Sequence, residues 1–404
     1  MCKSTVLVRY LDLGLQPPAD QFHPTDTAGL RPVTYYPLSV VLCEQCGLSQ
    51  LGYVVEPEIL YQDEYPYEAS TTSAGRAHFA DFAQTVAHDF GLGSTDLAVD
   101  VGSNVGVLLA GFRAAGVRIR GVDPATNIAR IAEERGIPTI AQFFSPEVAD
   151  RIVHEDGRAS VVTATNVFAH VDDLDTFMVA IDRLLTADGI FVVEAPYFLN
   201  LLRDLEYDTI YHEHLSYLSL TPMATFFGAR GFEIFDVRQV DIHGGSMRVF
   251  VGRHGQREVD PVVRNLIAAE EDDGIHDLDR LQRFARDVEA NREAMRELVY
   301  GLHRDGSRLA IVSAPAKGMT LLNYCGFGRD VFEFATEKSL LKIGRCTPGG
   351  QIPVVADFEL TRRRPDLALL LAWNFADEIM HNLTDYSQAG GKFIVPIPEP
   401  RIVS

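Results

Sequence analysis

The chain of 404 residues contains no run of 18 apolar residues, so no segment reads as a membrane-spanning helix. Neither a basic start nor an apolar stretch follows Met1, so no secretory signal is expected. Cysteine is scarce: Cys2, Cys43, Cys46, Cys325 and Cys346 are too few and too scattered for a secreted disulfide scaffold. Basic residues are outnumbered, 36 Lys and Arg against 56 Asp and Glu, for a net charge of −20. That balance argues against nucleic acid and against a membrane as partner, while a local basic pocket for a small anionic substrate remains compatible with it. A cytoplasmic enzyme of two or three domains, a monomer or weak oligomer, is the expectation.

What is present begins with "VLCEQCGLSQ", where Cys43 and Cys46 form a C-x2-C knuckle followed by Gly47. Both thiolates of such a knuckle reach one tetrahedral ion, and a structural zinc then needs two further ligands, for which Cys2 is the upstream candidate. Two small residues in a turn are the plain alternative; a redox pair fits less well, because no strand-then-helix pattern surrounds them. The stretch "YLDLGLQPPADQF" reads as a loop over a short strand. Further on, Tyr65-Pro66-Tyr67 makes a rigid aromatic turn, and the Ser/Thr cluster behind it suits the start of a helix over Ala74–Phe90. Tyr65 and Tyr67 either pack a domain junction or point into an active site.

The most informative stretch is "TDLAVDVGSNVGVLLAGFRAAGVRIRGVDPA". A buried-strand run over Leu97–Val101 breaks at Gly102-Ser-Asn-Val-Gly106, a helical pattern follows, and a second strand ends at Asp123. This is a βαβ unit whose first turn approaches a ligand closely and whose acidic residue suits ribose hydroxyls. The spacing D-x-G-x-x-x-G, without a third glycine, departs from the dinucleotide pattern. S-adenosylmethionine (SAM) carries no phosphate and fits such a turn better than NAD. Asp100, Gly102, Asn104, Gly106 and Asp123 are therefore candidate cofactor contacts. A further strand, Val161–Ala164, runs into Asn166 and His170, and open α/β sheets bind ligands beyond the carboxyl ends of their strands. Past the next strand comes "IYHEHLSYLS", with Tyr211, His212, Glu213 and His214 in one turn. No H-E-x-x-H spacing is present, which argues against a catalytic metal there.

In "DIHGGSMRVF", His243 and Gly244 precede a strand, in keeping with a substrate approach or with a bulge. Asp277–Arg304 carries a helical stripe that suits a buttress between domains. "SRLAIVSAPAKGMTLLNYCG" reads as strand, turn and helix, and Lys317 at that helix start is a candidate diphosphate contact or a solvent-facing lysine.

Taken together, "LDLGLQPPAD", the knuckle at Cys43, "YPYEAS", "DVGSNVG", "NVFAHV", "YHEHLSYLSL", "HGGSMRVFV", "APAKGMTLLNYCG", "GRCTPGGQIPV" and "PEPRIV" resemble the SAM-dependent nucleotide-sugar C-methyltransferases. The resemblance spans essentially the whole chain. It implies an α/β protein in which a class I methyltransferase Rossmann-like domain (67–260) lies between a small zinc-binding module (1–66) and a C-terminal Rossmann-like domain (261–404). It implies SAM and structural zinc as cofactors and a nucleotide-linked keto-deoxysugar, dTDP-linked in similar proteins, as the small-molecule partner. Methylation beside a ketone, most often at C3, needs a base for the α-proton and donors for the enolate oxygen. The resemblance implies His214 as that base, Tyr211 and Glu213 beside it, and His170 with one tyrosine of the Tyr65/Tyr67 turn as second candidates. The family has two C-x2-C pairs; Cys2 fits the second cysteine of the first pair, whose partner is expected just upstream of Met1. The runner-up is an NAD-dependent nucleotide-sugar oxidoreductase or epimerase, and a non-catalytic sugar-nucleotide binder ranks below both.

Overall fold

Residues 7–16, LVRYLDLGLQ, continue through Gly14 as one strand, because two register shifts absorb the irregularity that the sequence suggested was a loop. The computed structural model describes all residues except 26–32, 62–64, 67, 69–72 and 243. In the first module, β1 (Leu7–Gln16), β2 (His23–Pro24), β3 (Tyr36–Cys43) and β4 (Ser49–Leu51) precede the short helix α1 (Pro57–Tyr61). Leu11, Leu13, Leu38, Val40 and Leu42 point inward from the paired strands β1 and β3 and form a small core.

The middle of the chain contains a seven-stranded sheet. Helix α2 (Ser73–Asp89) leads into β5 (Leu97–Val101), α3 (Val107–Ala114), β6 (Arg118–Val122), α4 (Thr126–Glu134), β7 (Thr139–Ile140) and α5 (Pro146–Glu155). Then come β8 (Ala159–Thr165), α6 (Leu174–Leu184), β9 (Leu185–Pro196) and α7 (Phe198–Arg203). The two-residue β10 (Ser216–Tyr217) and α8 (Leu220–Gly228) precede the hairpin β11 (Phe232–Val240) and β12 (Ser246–Arg253). Strand order is β11-β12-β9-β8-β5-β6-β7, parallel except where β12 joins β9 and β11. Helices cover both faces of this sheet, which is why β5 is apolar except for Asp100 and buried along its whole length. Strand β10 leaves the sheet and pairs with β4, so the first module borrows a strand from the middle of the chain.

Helices α9 (Pro261–Asp273) and α10 (Leu278–Arg304) lead to the third part. The expected stripe on α10 is buried at Leu281, Phe284, Val288 and Met295. A second sheet follows: β13 (Leu309–Val312), α11 (Ala316–Cys325), β14 (Ala335–Glu337), β15 (Arg345–Cys346), β16 (Val354–Ala356), β17 (Leu367–Leu370), β18 (Lys392–Val395) and β19 (Arg401–Val403). Its order is β16-β14-β13-β17-β18-β19, while β15 instead pairs with β2 of the first module. No helix among the described residues is long and apolar enough to cross a membrane.

Candidate active site

The segment 207–219 is irregular, yet each part of the molecule pins it. Tyr207 donates its hydroxyl to Asn291 of α10 across 2.9 Å, and Thr320 of α11 donates to the Ile210 carbonyl across 2.8 Å. From the first module, the Leu51 N–H reaches the Leu215 carbonyl at 2.9 Å, beside the β4–β10 pairing. Glu213, His212 and Ile210 are consequently buried despite the lack of regular structure.

Within this frame His214 donates Nδ1–H to the Thr209 carbonyl at 2.7 Å. A carbonyl only accepts, so this bond fixes the tautomer and makes Nε2 the basic nitrogen. The His214 ring lies 4.1 Å from the Tyr211 ring and 4.9 Å from that of His170. Burial, with His214 as a like neighbour, pushes the His170 pKa well below its usual value, which keeps that ring neutral. Its Nε2 has no hydrogen-bond partner, and neither does Glu213 Oε1. Buried polar atoms without partners are costly, and a ligand that reached these two would supply the missing bonds.

The first module completes the wall. Tyr65 donates to Glu213 Oε2 at 2.9 Å, and Tyr61, the last residue of α1, lies 3.2 Å from His170 Nδ1. Burial and the Glu213 charge raise both phenols well above 10, so both stay protonated. Of the aromatic turn expected here, Tyr65 is thus in the site and Tyr67 lies outside the described residues. Tyr61 was missed, although it opens the same "YQDEYPY" stretch. His212 is a buried structural residue: its Nε2 is 3.3 Å from the Pro37 carbonyl and its ring meets Tyr36 edge-on.

The cofactor candidates form one edge. Strands β6, β5 and β8 are neighbours, and Asp123, the Gly102–Gly106 turn and Asn166 follow their carboxyl ends. Gly102 has φ +68° and a Cβ there would come within 2.3 Å of Val167, so glycine is needed for the chain's own packing as well. Gly106 (φ +79°), Asn104 (φ +49°) and Asn166 (φ +55°) are also left-handed. Asp123 accepts the Asn104 and Ala125 N–H groups at 2.9 Å each, which ties the turn to the second strand. Burial raises the Asp123 carboxyl to about 6 and the Asp100 carboxyl to about 7. Asp100 sits beneath the turn, where Thr163 donates to it at 2.6 Å. Two buried carboxylates and no basic residue along 100–107 suit a cationic sulfonium and not a pyrophosphate. The turn reaches Glu213 through Tyr65, which packs against the cluster of Val105, Ala125 and Ile128.

Two more features were not foreseen. His78 Nε2 lies 2.6 Å from Glu194, which Arg248 holds from the other side at 2.8 Å, and the Glu194 carbonyl accepts the Asn166 N–H. Lys342 and Asp20 also meet, 3.3 Å apart and buried. Of the expected substrate contacts, His243 lies outside the described residues. Gly244 sits in the turn before β12 against Glu206, so it is no bulge within a strand. Lys317 faces neither solvent nor an open anion site: its ammonium donates to Asn374 at 2.7 Å, lies 3.8 Å from Asp208, and rests 4.7 Å over the Trp373 ring.

The three expected metal ligands converge. Cys2 and Cys43 Sγ are 3.5 Å apart, and all three sulfurs, Cys46 included, lie within 4.8 Å of one another. Thiolates on a tetrahedral zinc stand about 3.8 Å apart, so the cluster fits that ion. Burial raises the Cys43 thiol, but N–H groups of Cys46 and Gln45 more than offset it and favour the thiolate. Among the described residues no His, Asp, Glu or further Cys joins the three.

A doubly covered, mainly parallel sheet with a neutral glycine turn and a terminal acidic residue on the second strand defines a methyltransferase domain with a zinc-type module before it. Sequence comparison agrees. Residues 81–237 match the family "Methyltransferase domain", 1–61 "Putative zinc binding domain", and 241–398 "C-methyltransferase C-terminal domain". The C-methyltransferase NovU of Streptomyces niveus is 40% identical over 372 residues, covering 92% of this chain and 88% of that protein. The chain belongs to this C-methyltransferase family, with SAM and zinc as its cofactors. A ubiquinone biosynthesis O-methyltransferase of Methylobacterium sp. (strain 4-46) is 31% identical over 97 residues, 23% of this chain and 38% of that protein. Magnesium protoporphyrin IX methyltransferase from Synechocystis PCC 6803 aligns at 15% identity over 44% of this chain and 82% of that one, with a TM-score of 0.35.

Proposed function

We propose that the enzyme methylates a carbon beside the ketone of a nucleotide diphosphate-linked keto-deoxysugar, at C3, with His214 as base. The observation that carries this reading is the Nδ1–H bond from His214 to the Thr209 carbonyl, which makes Nε2 basic next to the His170 ring, whose own Nε2 is buried without a partner. Oxygen and nitrogen nucleophiles need no base for a carbon-bound proton, whereas an acidic C–H does.

His214 Nε2 takes the α-proton, and the C–H electron pair moves into an enolate whose oxygen bears the charge. Protonated Tyr61 and Tyr65 and the neutral His170 ring line the pocket where that charge develops. The Thr209 carbonyl steadies the imidazolium once it forms. SAM, when bound, supplies an electrophilic methyl group whose C–S pair leaves with sulfur. Gly102, Asn104, Gly106, Asp123 and Asn166 would hold it at the sheet edge, and Asp100 would support the turn from beneath. Lysine 317, Gly244 and His243 remain candidate contacts for the nucleotide sugar, Lys317 through exchange of its present partners.

His214→Asn tests the reading with isotopically labelled SAM and a dTDP-keto-deoxysugar in deuterated water. Loss of both carbon methylation and α-proton exchange is expected. Retained exchange moves the base elsewhere, and a label on oxygen or nitrogen overturns the carbon assignment.

A further inference from the structure

Four consecutive residues, Tyr207 to Ile210, each bond to a separate partner. Tyr207 donates to Asn291 of α10, whose amide donates in turn to the Pro396 and Pro398 carbonyls at 2.9 and 2.8 Å. Asp208 Oδ2 accepts the Trp373 Nε1–H at 2.7 Å, from the segment that follows β17. The Ile210 carbonyl accepts the Thr320 hydroxyl of α11 at 2.8 Å. Thr209, between them, gives its carbonyl to His214 Nδ1–H at 2.7 Å. The third part of the chain therefore holds the residues on both sides of the one that holds His214.

The turn needs that support. Residues Tyr207–Thr209 form a single 3-10 turn, closed by the Ile210 N–H on the Tyr207 carbonyl at 3.1 Å. Its other local bonds run from the Thr209 N–H and hydroxyl to the Glu206 carbonyl, at 3.1 and 2.7 Å. So short a turn has poor hydrogen-bond geometry and little stiffness of its own. The partners in the third part are stiff by comparison. Trp373 and Lys317 follow the carboxyl ends of β17 and β13, which are paired parallel neighbours in the second sheet. Lys317 rests over the Trp373 ring and stands 3.8 Å from Asp208, so the indole is fixed on the side facing the turn. Tyr207, Asp208, Ile210, Asn291 and Thr320 are all buried, which removes water as a competitor for these bonds.

We propose that Trp373 and Thr320 are positioning residues for His214: by holding Asp208 and Ile210 they fix the Thr209 carbonyl, and through it the tautomer and direction of the imidazole. The third part of the chain thus serves the proton-transfer step through the backbone of the 207–210 turn. The proposal rests on the reading of His214 as the base.

The test reads His214 directly and without substrate. In the full zinc-loaded chain, with heavy nitrogen in its histidines, the Nδ1–H held by Thr209 gives an imidazole proton signal protected from exchange, assigned by its loss in His214→Asn. Trp373→Phe keeps a ring beneath Lys317 and removes the donor to Asp208, and Thr320→Val removes the donor to Ile210. In each variant that proton is expected to exchange with water about tenfold faster. The kcat of methylation is expected to fall by roughly tenfold, with KM for the nucleotide sugar changed by less than about twofold. Tyr386→Phe is the control for a merely structural effect. Its hydroxyl donates to the Pro365 and Lys392 carbonyls inside the same part of the chain, so its loss lowers stability and is expected to leave the His214 signal and kcat unchanged.

A His214 signal unmoved in Trp373→Phe, or moved as far by Tyr386→Phe, overturns the proposal. A raised KM with unchanged kcat also overturns it, since Trp373 would then be a substrate contact. If Trp373→Phe does not fold, Thr320→Val decides on the same readouts. Faster exchange at His214 in a protein whose methylation survives His214→Asn would sink the reading of His214 as base and leave its positioning by the third part standing.

Discussion

Tyr65 joins the glycine turn to the His214 segment: it packs against the cluster of Val105, Ala125 and Ile128 while its hydroxyl donates to Glu213 across 2.9 Å. On the proposed assignment of the site, one residue couples the place of the methyl donor to the setting of the acid–base residues. Tyr65→Phe keeps the ring and removes the bond. The loss of a hydrogen bond to a buried carboxyl group, on the order of 1–2 kcal/mol, predicts kcat lower by roughly 5- to 30-fold with the SAM dissociation constant nearly unchanged. Tyr65→Ala removes the ring as well and is expected to weaken SAM binding. Calorimetry with SAM and steady-state kinetics separate the two; equal SAM affinity in both variants would contradict the coupling.

The three-cysteine cluster lies in the same N-terminal part of the chain as Tyr61 and Tyr65. Cys43 leads from β3 into the knuckle, and Cys46 and Cys2 meet it there. Cys43→Ser is expected to release the metal and loosen β1–β4, with activity falling because two tyrosines leave the pocket. Metal content by mass spectrometry and hydrogen exchange over residues 7–51 check this. A variant that loses zinc but keeps full exchange protection there would show the metal to be dispensable for the fold.

How much of this was legible in the sequence depends on distance along the chain. The turn Gly102–Gly106 and its flanking strand and helix were readable because strand and helix periods change within a few residues. His214 and Glu213 were readable from local composition and from the resemblance. Tyr61, Asp20 and Lys342 were not: Tyr61 meets His170, 109 residues away in the chain, and Lys342 meets Asp20 where β15 crosses to β2, a pairing between strands of two residues each. The ten-residue strand β1 was hidden by Gly14, whose left-handed φ of +75° sits in a register shift and does not end the strand.

Asp100 illustrates a cost carried beneath the cofactor turn. Its carboxyl is raised to about 7, by burial first and by the Asp123 charge second, against about 3.9 in an unfolded chain. The folded state therefore binds this proton more tightly. The stability it brings is complete below about pH 4 and is lost as pH rises through about 7. Asp100→Asn keeps an acceptor for Thr163 and never ionises. It is expected to be more stable than wild type at pH 8, by on the order of 1–3 kcal/mol, and about equal at pH 4. Urea denaturation at the two pH values measures this; the same difference at both would mean that the carboxyl does not titrate as described.

Gly244 offers a prediction with two separable parts. Its φ is +88°, and a Cβ would stand 1.8 Å from Glu206 Oε1. Glu206 is buried, which pushes its carboxyl up to about 7, so it has little room to turn aside. Gly244→Ala thus meets backbone strain and a collision together, and a loss of about 2–4 kcal/mol is expected in urea denaturation. Adding Glu206→Ala removes the collision and leaves the strain, so part of that loss, though not the final ~1 kcal/mol, should return relative to Glu206→Ala alone. If the double variant recovers nothing, the left-handed backbone alone requires glycine in "HGG", and the contact with Glu206 is incidental.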